Sequence, residues 1–451
     1  MDKFKTISLF SGGMGLDIGL ESTGLFEIVA CIEAVPAFCD TIRTNRDAGR
    51  LPGTLRVFEG DIRSMSPTDV LSAIGLGVGE VDLVVGGPPC QSFSTAGRRG
   101  TVQDPRGTLL WEYLRFIDDM RPKFFLMENV RGLLSAALQH RPIAERPEKG
   151  GSPLSVEEKP GSVVRLFAQD LALLAGDSYH LDVFEVNAVN YGAPQLRERA
   201  LFIGNRFNAQ VGFPEPTHGP ANHDTSLVLP GLSLGDALEP WRTLGDALAG
   251  LHDPDPVVMD FSPRKKGYLE IVPAGSNWRS LPELVQRESM GKAWIAKGGR
   301  SGWWRRLSLD LPSPTLVTMP NHASTALCHP TETRALSIRE YARIQEFPDE
   351  WEFRGTASQQ YAQVGNAVPT RLGKVAGKVL GSALAQLRAR DWRPNPGRVL
   401  EPRIIYLQSH VRTRQWFKNG RTCVRNGDGD NGQSDYAAPK TVRKSRALRE
   451  V

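Results

Sequence analysis

The run Gly86-Gly87-Pro88-Pro89-Cys90-Gln91-Ser92-Phe93-Ser94 follows a short apolar stretch at residues 81–85. A thiol in a rigid Pro-Pro turn at the C-terminal end of a strand stands where a nucleophile is useful. Cysteine is the most nucleophilic side chain near neutral pH once partly ionised. An isolated cysteine is far more often a small buried apolar residue. Here the turn, and the polar, glycine-bearing stretch 95–107 that could close over a substrate, favour chemistry. Glu128-Asn129-Val130 ends a second apolar run, 124–127. A carboxyl in such surroundings could be held protonated and donate to a ring nitrogen; the plainer reading is a helix cap or a surface ion pair. Gln195-Leu196-Arg197-Glu198-Arg199 puts two arginines at alternate positions entering a strand, hence on one face. Paired guanidinium groups suit a phosphate or a carbonyl oxygen, and the competing reading is a surface ladder with Glu198.

A second group of residues suits a cofactor. Phe10-Ser11-Gly12-Gly13-Met14-Gly15 closes the first strand and opens a helix. Glycines there let a ligand approach the backbone, and the helix N-terminus offers free N–H groups. Glu33 ends the second strand about 20 residues on, where such folds hydrogen-bond a ribose hydroxyl. Asp61, in Gly60-Asp61-Ile62, is placed to face an adenine edge. The turn is not Gly-x-Gly-x-x-Gly, so adenosine on a small side chain is favoured over a dinucleotide. In Gln363-Val364-Gly365-Asn366-Ala367-Val368-Pro369, Asn366 could cap a following helix or bind a ligand.

These residues need a scaffold. Strands are expected at 6–10, 27–32, 56–62, 81–85 and 124–127, and helices at 15–22 and 37–46. That alternation predicts an open, mostly parallel α/β sheet with ligands at the C-terminal strand ends. Residues 139–162, rich in Pro, Gly and charge, read as a surface insertion. A helix at 163–174 and strands near 181–189 and 200–203 come next. From 205 to 302 the βα rhythm disappears and Pro, Gly, Trp and basic residues dominate, which predicts a second, irregular domain. Helical pattern returns at 337–345 and 371–390, and the polar tail from 391 reads as partly disordered.

The chain has 451 residues, 40% hydrophobic and 23% charged, which suits a soluble globular protein. Its five cysteines form no CxxC pair, against a disulfide scaffold or a zinc site. No apolar core of a leader and no long apolar run appears, so the chain reads as soluble and intracellular. Net charge is +5 but unevenly spread: residues 391–451 hold 13 Lys/Arg against 6 Asp/Glu, while residues 1–390 sum to −2. Residues 261–306 hold 10 Lys/Arg against 3 acids. Basic blocks of this kind suit a polyanion, or simply form a solvated face.

The five motifs around Phe10–Gly15, Pro88-Pro89-Cys90, Glu128-Asn129-Val130, Gln195–Arg199 and Gln363–Pro369, taken in this order, resemble the DNA (cytosine-5)-methyltransferase family over roughly residues 4–390. The segment from Arg306-Leu307-Ser308 to Pro320 and that from Arg339 to Pro348 fit the same pattern. The resemblance implies a Rossmann-like, S-adenosylmethionine-dependent methyltransferase fold, mostly parallel with helices on both faces, plus a smaller irregular target-recognition domain. It divides the chain into a catalytic and cofactor-binding domain (1–204), a DNA-reading domain (205–302), a return to the catalytic domain (303–390) and a basic tail (391–451). S-adenosylmethionine would lie against Phe10, Ser11, Gly12, Gly13, Met14, Gly15, Leu16, Glu33, Asp61, Ile62, Pro88 and Asn366, leaving S-adenosylhomocysteine as product. Cys90 would add to C6 of cytosine, Glu128 would serve N3, Arg199 would hold O2, and Arg197 would support the loop or a phosphate. Because C6 is unreachable inside a duplex, the base would be flipped out. Gln91, Ser92, Arg98, Arg99, Arg106 and Gln195 are candidates around it, with Arg264, Lys265, Lys266, Arg279, Trp278, Trp303 and Trp304 for DNA contact. The tryptophans could equally form a small core. The implied partner is double-stranded DNA, read by a monomer of a bacterial or phage restriction–modification system, with a cognate endonuclease sharing the site without direct contact, and with no metal and no membrane. The competing readings are a tRNA cytosine-5 methyltransferase, against which the long variable region and the missing Cys-Phe-Thr stretch speak, and a catalytically silent DNA-binding relative. A Rossmann dehydrogenase would give the Pro-Pro-Cys turn no role.

Overall fold

The structure, a computed structural model, describes residues 2–89, 108–174, 179–220, 238–295, 300, 302–390, 403–407, 414–418, 421–425 and 445–447. Its first part alternates strand and helix: β1 (Phe4–Leu9), α1 (Gly15–Glu21), β2 (Phe26–Glu33), α2 (Pro36–Asp47), β3 (Arg56–Glu59), α3 (Pro67–Ala73), β4 (Leu83–Gly86), α4 (Leu109–Met120) and β5 (Phe124–Val130). After α5 (Ser162–Ala172) come β6 (His180–Asn187), the two-residue β7 (Gln195–Leu196) and β8 (Glu198–Asn205). β1 to β5 pair in parallel in the order β3-β2-β1-β4-β5, and β8 runs antiparallel between β5 and β6. The strand ends that carry Leu9, Glu33, Gly86 and Glu128 therefore gather at one edge of the sheet, where open α/β folds bind ligands.

The central strands are apolar throughout because both faces are covered. Val84, Phe125 and Phe202 pack with α4 and α5 residues on one face. Leu83, Val85, Phe124, Leu126 and Leu201 pack on the other with Leu372, Leu380 and Leu384 of α11 (Thr370–Arg390). α4 presents Leu110, Tyr113, Leu114, Ile117 and Met120 inward, a stripe at helical spacing. Neither α3 nor α4 was among the expected elements, although this stripe is written in the sequence. The expected third strand at 56–62 is shorter, because Asp61 caps a single 3₁₀ turn at Ile62–Ser64.

The 205–302 region carries β9 (His218–Gly219), β10 (Glu239–Pro240), α6 (Leu244–Leu248), α7 (Pro263–Glu270) and α8 (Glu283–Met290), and β11 (Ser313–Pro314) comes after it. A separate small core holds Phe261, Leu269, Val272, Trp278, Leu281, Met290, Trp304, Ala326, Cys328 and Ala335. It thus draws on both sides of position 302. Arg306 is buried within it and donates to the carbonyls of Val272, Leu269, His329 and Glu332.

α9 (Ile338–Ile344) and α10 (Ala357–Asn366) each begin in a capping box, Ser337 with Glu340 and Thr356 with Gln359. They join Met14, Ile28, Ile42 and Leu244 in a third core beneath the first βα turn. The tail also enters the fold: β12 (Arg403–Tyr406) adds to β6 in parallel, and β15 (Ser445–Ala447) adds to β12, completing nine strands among the described residues. β13 (Arg414–Lys418) and β14 (Arg421–Arg425) pair with each other. Among the described residues, no helix is long and apolar enough to cross a membrane.

Candidate active site

The turn from β1 into α1 is held by backbone geometry. Phe10, Gly12 and Met14 all have positive φ (56°, 53° and 68°), and Met14 is the N-cap of α1. Ser11 anchors the turn by donating to the Ser8 hydroxyl (2.9 Å). The side chains of Met14 and Leu16 are buried in two different cores, so only their backbone can face a ligand. Gly13 lies tight against the last turn of α10 and Gly15 against the chain just beyond it: a Cβ on Gly13 would stand 3.2 Å from the Gln363 carbonyl, and one on Gly15 only 2.4 Å from that of Val368. Glu33 closes the turn from the neighbouring strand. One carboxylate oxygen accepts from the Gly12 N–H (2.8 Å) and the other from that of Val35 (2.9 Å). Each oxygen keeps a lone pair for a further donor.

Two further cofactor candidates stand just after β3 and at the end of α10. The Asp61 carboxylate is taken by Arg63, at 2.5 Å to Nη2 and 2.9 Å to the backbone N–H, which holds it down at about 2. Its neighbour Ile62 is buried in the core. Asn366 does not cap α11. It is the last residue of α10, exposed, four positions before α11 begins.

At the next strand ends, Asn129 donates to the Pro88 carbonyl (3.0 Å) and so ties the Gly87-Pro88-Pro89 turn to β5. Glu128 is buried beside it and ion-paired through Oε1 to Nε of Arg199, itself buried. A Cβ on Gly87 would stand 3.1 Å from the other carboxylate oxygen of Glu128. The absence of a side chain at Gly87 keeps that oxygen open toward the turn. Cys90 continues this turn, but Cys90, Gln91, Ser92, Arg98, Arg99 and Arg106 lie outside the described residues. Cys31, Cys39 and Cys328 are buried, and burial pushes the Cys39 thiol up to about 12 and that of Cys328 to about 11. None of these three is suited to act as a nucleophile.

Arg197 and Gln195 share the buried face with Arg199 but turn away from the opening. Arg197 is fully buried and donates to the carbonyls of Gly365 (2.9 Å), Asn366 (3.2 Å) and Leu316 (3.3 Å). Burial first, and then the neighbouring Arg199, lower its pKa from the usual guanidinium range. Among the described residues it therefore holds the chain at 316 and 365–366. Gln195, expected at the substrate, accepts from the Leu316 N–H (3.0 Å) and donates to Gln345 (3.1 Å) with no exposure. Gln345 in turn donates to the carbonyls of Val364 (2.7 Å) and Ala367 (3.0 Å). Carbonyls at the end of a helix lack partners within it; here Arg197 and Gln345 supply them.

In the region expected to read DNA, the tryptophans build structure. Trp304 and Trp278 are buried, and Arg279 and Arg300 both lie over the Trp278 ring, at 4.7 and 5.1 Å. Lys265 donates to the Asn321 carbonyl (2.9 Å), Lys266 pairs with Asp260 (2.5 Å), and Arg264 contacts the Tyr268 hydroxyl (3.2 Å). Asn129, Gln345 and Gly87 stand inside the sequence motifs but had no role of their own there. For Gln345 the partners are 150 residues away for Gln195 and 19 for Val364, so no local pattern announces them.

Sheet order and site together define an open α/β fold with a glycine turn at the end of β1 and an acid–arginine pair on the same sheet edge. A family model described as C-5 cytosine-specific DNA methylase matches residues 4–150 and 154–382, and the chain belongs to that family. It is a DNA (cytosine-5) methyltransferase that uses S-adenosylmethionine. It is 36% identical to the Type II methyltransferase M.PspPI of Psychrobacter sp. over 84% of this chain and 79% of that one. It is 35% identical to the Type II methyltransferase M.Sau96I of Staphylococcus aureus over 85% and 77%. A solved structure named for a DNA modification methyltransferase encoded within an E. coli prophage shares the fold, with TM-score 0.52 and 24% identity over 86% of this chain and all of that one. One observation fits the cofactor: the Glu33 carboxylate, held by the Gly12 and Val35 N–H groups, keeps acceptor capacity for a hydroxyl donor.

Proposed function

We propose that this enzyme methylates a flipped-out cytosine in duplex DNA through a covalent adduct between Cys90 and C6, as the modification partner of a restriction–modification system. The observation that carries the reading is the Glu128–Arg199 pair set against the turn that leads into Cys90.

C5 of neutral cytosine is a poor nucleophile. The Cys90 thiolate adds to C6, which places enamine electron density on C5, while Glu128 hydrogen-bonds or protonates N3 and Arg199 holds the O2 edge. When bound, S-adenosylmethionine supplies a methyl group on a sulfonium, and C5 takes it. A base then removes the C5 proton, Cys90 leaves, and aromaticity returns. Glu33 and the backbone of Gly12–Gly15 hold the cofactor; Arg197 and Gln345 position that pocket by fixing the end of α10. Phe10 would help to hold the cofactor's adenosine end. Residues 205–302 read the DNA with Arg264, Lys265 and Arg279, and the segment bearing Gln91, Ser92, Arg98, Arg99 and Arg106 closes on the flipped base. The Type II methyltransferase names of the relatives support the restriction–modification setting. In this reading the enzyme is a monomer acting on nucleoid DNA in a bacterial cytoplasm.

The test is transfer of a labelled methyl group to unmethylated plasmid DNA, beside total tRNA and a Cys90→Ala control. Label in DNA that disappears in the control is expected. Label in tRNA alone, or label in DNA that survives Cys90→Ala, overturns the reading.

A further inference from the structure

The lobe built on the small core, residues 261–335, is reached through the third core. The chain passes from Met259, which packs on the third core, to Phe261 of the small one, and returns from Ala335 of the small core to Leu336 of the third. Among the described residues it crosses twice more, between Trp304 and Leu307 and between Val317 and Ala323. The outer two passages lie side by side. The Ile338 N–H donates to the Val257 carbonyl (3.1 Å) and the Ala335 N–H to Oδ1 of Asp260 (3.2 Å). Oγ of Ser337, at the start of α9, donates to Oδ2 of Asp253 (2.8 Å), upstream of the entry.

One side chain of α10 meets both passages. Tyr361 is fully buried, its ring edge-on to that of Tyr341 in α9 with centroids 5.0 Å apart. Its hydroxyl donates to the Leu336 carbonyl (2.6 Å), has the Val257 carbonyl at 3.3 Å, and accepts from the Met259 N–H (3.4 Å). This oxygen therefore sits at the neck of the lobe, on the residues just before the entry and just after the exit. Two residues further along α10, the carbonyl of Gln363 stands against Gly13 of the cofactor turn. A single helix thus borders the cofactor turn and holds the neck.

Buried main-chain groups that lose a hydrogen-bond partner must move or stay unsatisfied. At a neck, a small rotation displaces the far side of the lobe most. In a methyl transfer that needs the target base seated while its neighbours are read, a misplacement of about 1 Å far from the chemistry can cost on the order of 100-fold.

We propose that Tyr361 is a positioning residue for target recognition: its hydroxyl sets the angle at which the 261–335 lobe meets the catalytic half, and so where the DNA-reading side chains stand. The proposal rests on the reading of the chain as an enzyme that methylates a site in DNA and of this lobe as the part that reads it.

The test measures kcat/KM for methyl transfer on duplexes carrying the methylation site, identified by bisulfite sequencing of methylated plasmid, and on duplexes with one of its base pairs altered. Tyr361→Phe keeps the ring and removes only the oxygen. It lowers the ratio of the two by about tenfold, through the loss on the intact site. KM for S-adenosylmethionine stays within about twofold of wild type. Asp253→Ala, which frees the neck at Ser337, lowers the ratio in the same direction. Ile42→Val, which removes one methyl group from the third core on α2, controls for lost stability and keeps the wild-type ratio. An unchanged ratio in Tyr361→Phe, or an equal fall in Ile42→Val, overturns the proposal. If Tyr361→Phe does not fold, Asp253→Ala against Ile42→Val decides in the same way. A wild type that methylates duplexes without site preference overturns the proposal together with the reading of the lobe. A wild type that methylates RNA and no DNA fails the substrate reading alone, and the same ratio between its RNA site and an altered one then decides Tyr361.

Discussion

The guanidinium of Arg197 donates a 2.9 Å hydrogen bond to the carbonyl of Gly365, 168 residues further along the chain. That contact joins the strand leading to Arg199 to the end of α10, which lies against Gly13 of the cofactor turn. A residue in an arginine motif thereby serves the cofactor half of the site. Arg197→Met is expected to raise KM for S-adenosylmethionine at least tenfold and to destabilise the fold by about 3 kcal/mol, since buried carbonyls lose their donor. Binding to non-target DNA should stay within twofold. Titration with cofactor and with DNA separates the two; weakened DNA binding with intact cofactor affinity would show that Arg197 faces the nucleic acid.

Arg199 is expected to behave differently. Its guanidinium faces Glu128 in the opening, so Arg199→Ala removes a charge that stabilises the reacting ring and leaves a buried carboxylate without its partner. The expected fall in kcat is about 10² to 10³, with cofactor affinity kept. Lysine, a point charge without the planar fork, should not restore it. Single-turnover methyl transfer measures this.

Gly87→Ala probes the space before Glu128. The added methyl carbon would lie 3.1 Å from the Glu128 carboxylate oxygen, tight enough to displace it. A tenfold or greater loss of kcat is expected with the melting temperature little changed. Gly15→Ala, whose Cβ would meet backbone at 2.4 Å, should instead destabilise the protein by about 1–3 kcal/mol and weaken cofactor binding. Melting curves and cofactor titration distinguish them.

Asp17 links stability to pH. Burial raises its carboxyl from an ordinary 3.8 to about 6, against the opposing hydrogen bond from Ser8. The unfolded chain releases this proton nearer pH 4, so between about pH 4 and 6 the folded state holds more protons. Stability therefore falls as pH rises through that window and levels above it. Asp17→Asn removes this dependence. It should melt above wild type at pH 8, by up to about 3 kcal/mol, with the gain shrinking to nothing near pH 4. A difference of equal size at both pH values would contradict the assignment.

The strand ends and the turns between them are legible in the sequence because their determinants are local. A short apolar run, a glycine turn and an acid at the next strand end specify β1, α1, β2 and Glu33 without reference to anything distant. Asp61 apart, the contacts that are not legible have their deciding partner elsewhere in the chain. Asp61 is taken by Arg63, two residues on, a pairing that an isolated Gly-Asp-Ile reading ignores. The place of Asn366 at the end of α10 is readable from Thr356 and Gln359, whose spacing starts that helix, but Pro369 points equally to the next one. The buried contacts of Gln195 and Arg197 run to residues 316 to 366, which only the folded chain brings near. In the tail, Arg403-Ile404-Ile405-Tyr406 carries a strand pattern within a polar, basic segment, and its anchor, Asp182, is far off in sequence.

The central claim is that Cys90 attacks C6 while the ring is held by Glu128 and Arg199. Cytosine bearing fluorine at C5 tests it most directly, because after methyl transfer no proton is left at C5 to remove and Cys90 cannot depart. Incubation of duplex DNA containing 5-fluorocytosine at the methylated position with the enzyme and S-adenosylmethionine should give a stable protein–DNA adduct, mapped by mass spectrometry to Cys90 and absent in Cys90→Ala. An adduct at another residue, or normal turnover on the fluorinated DNA with no adduct, would contradict the account.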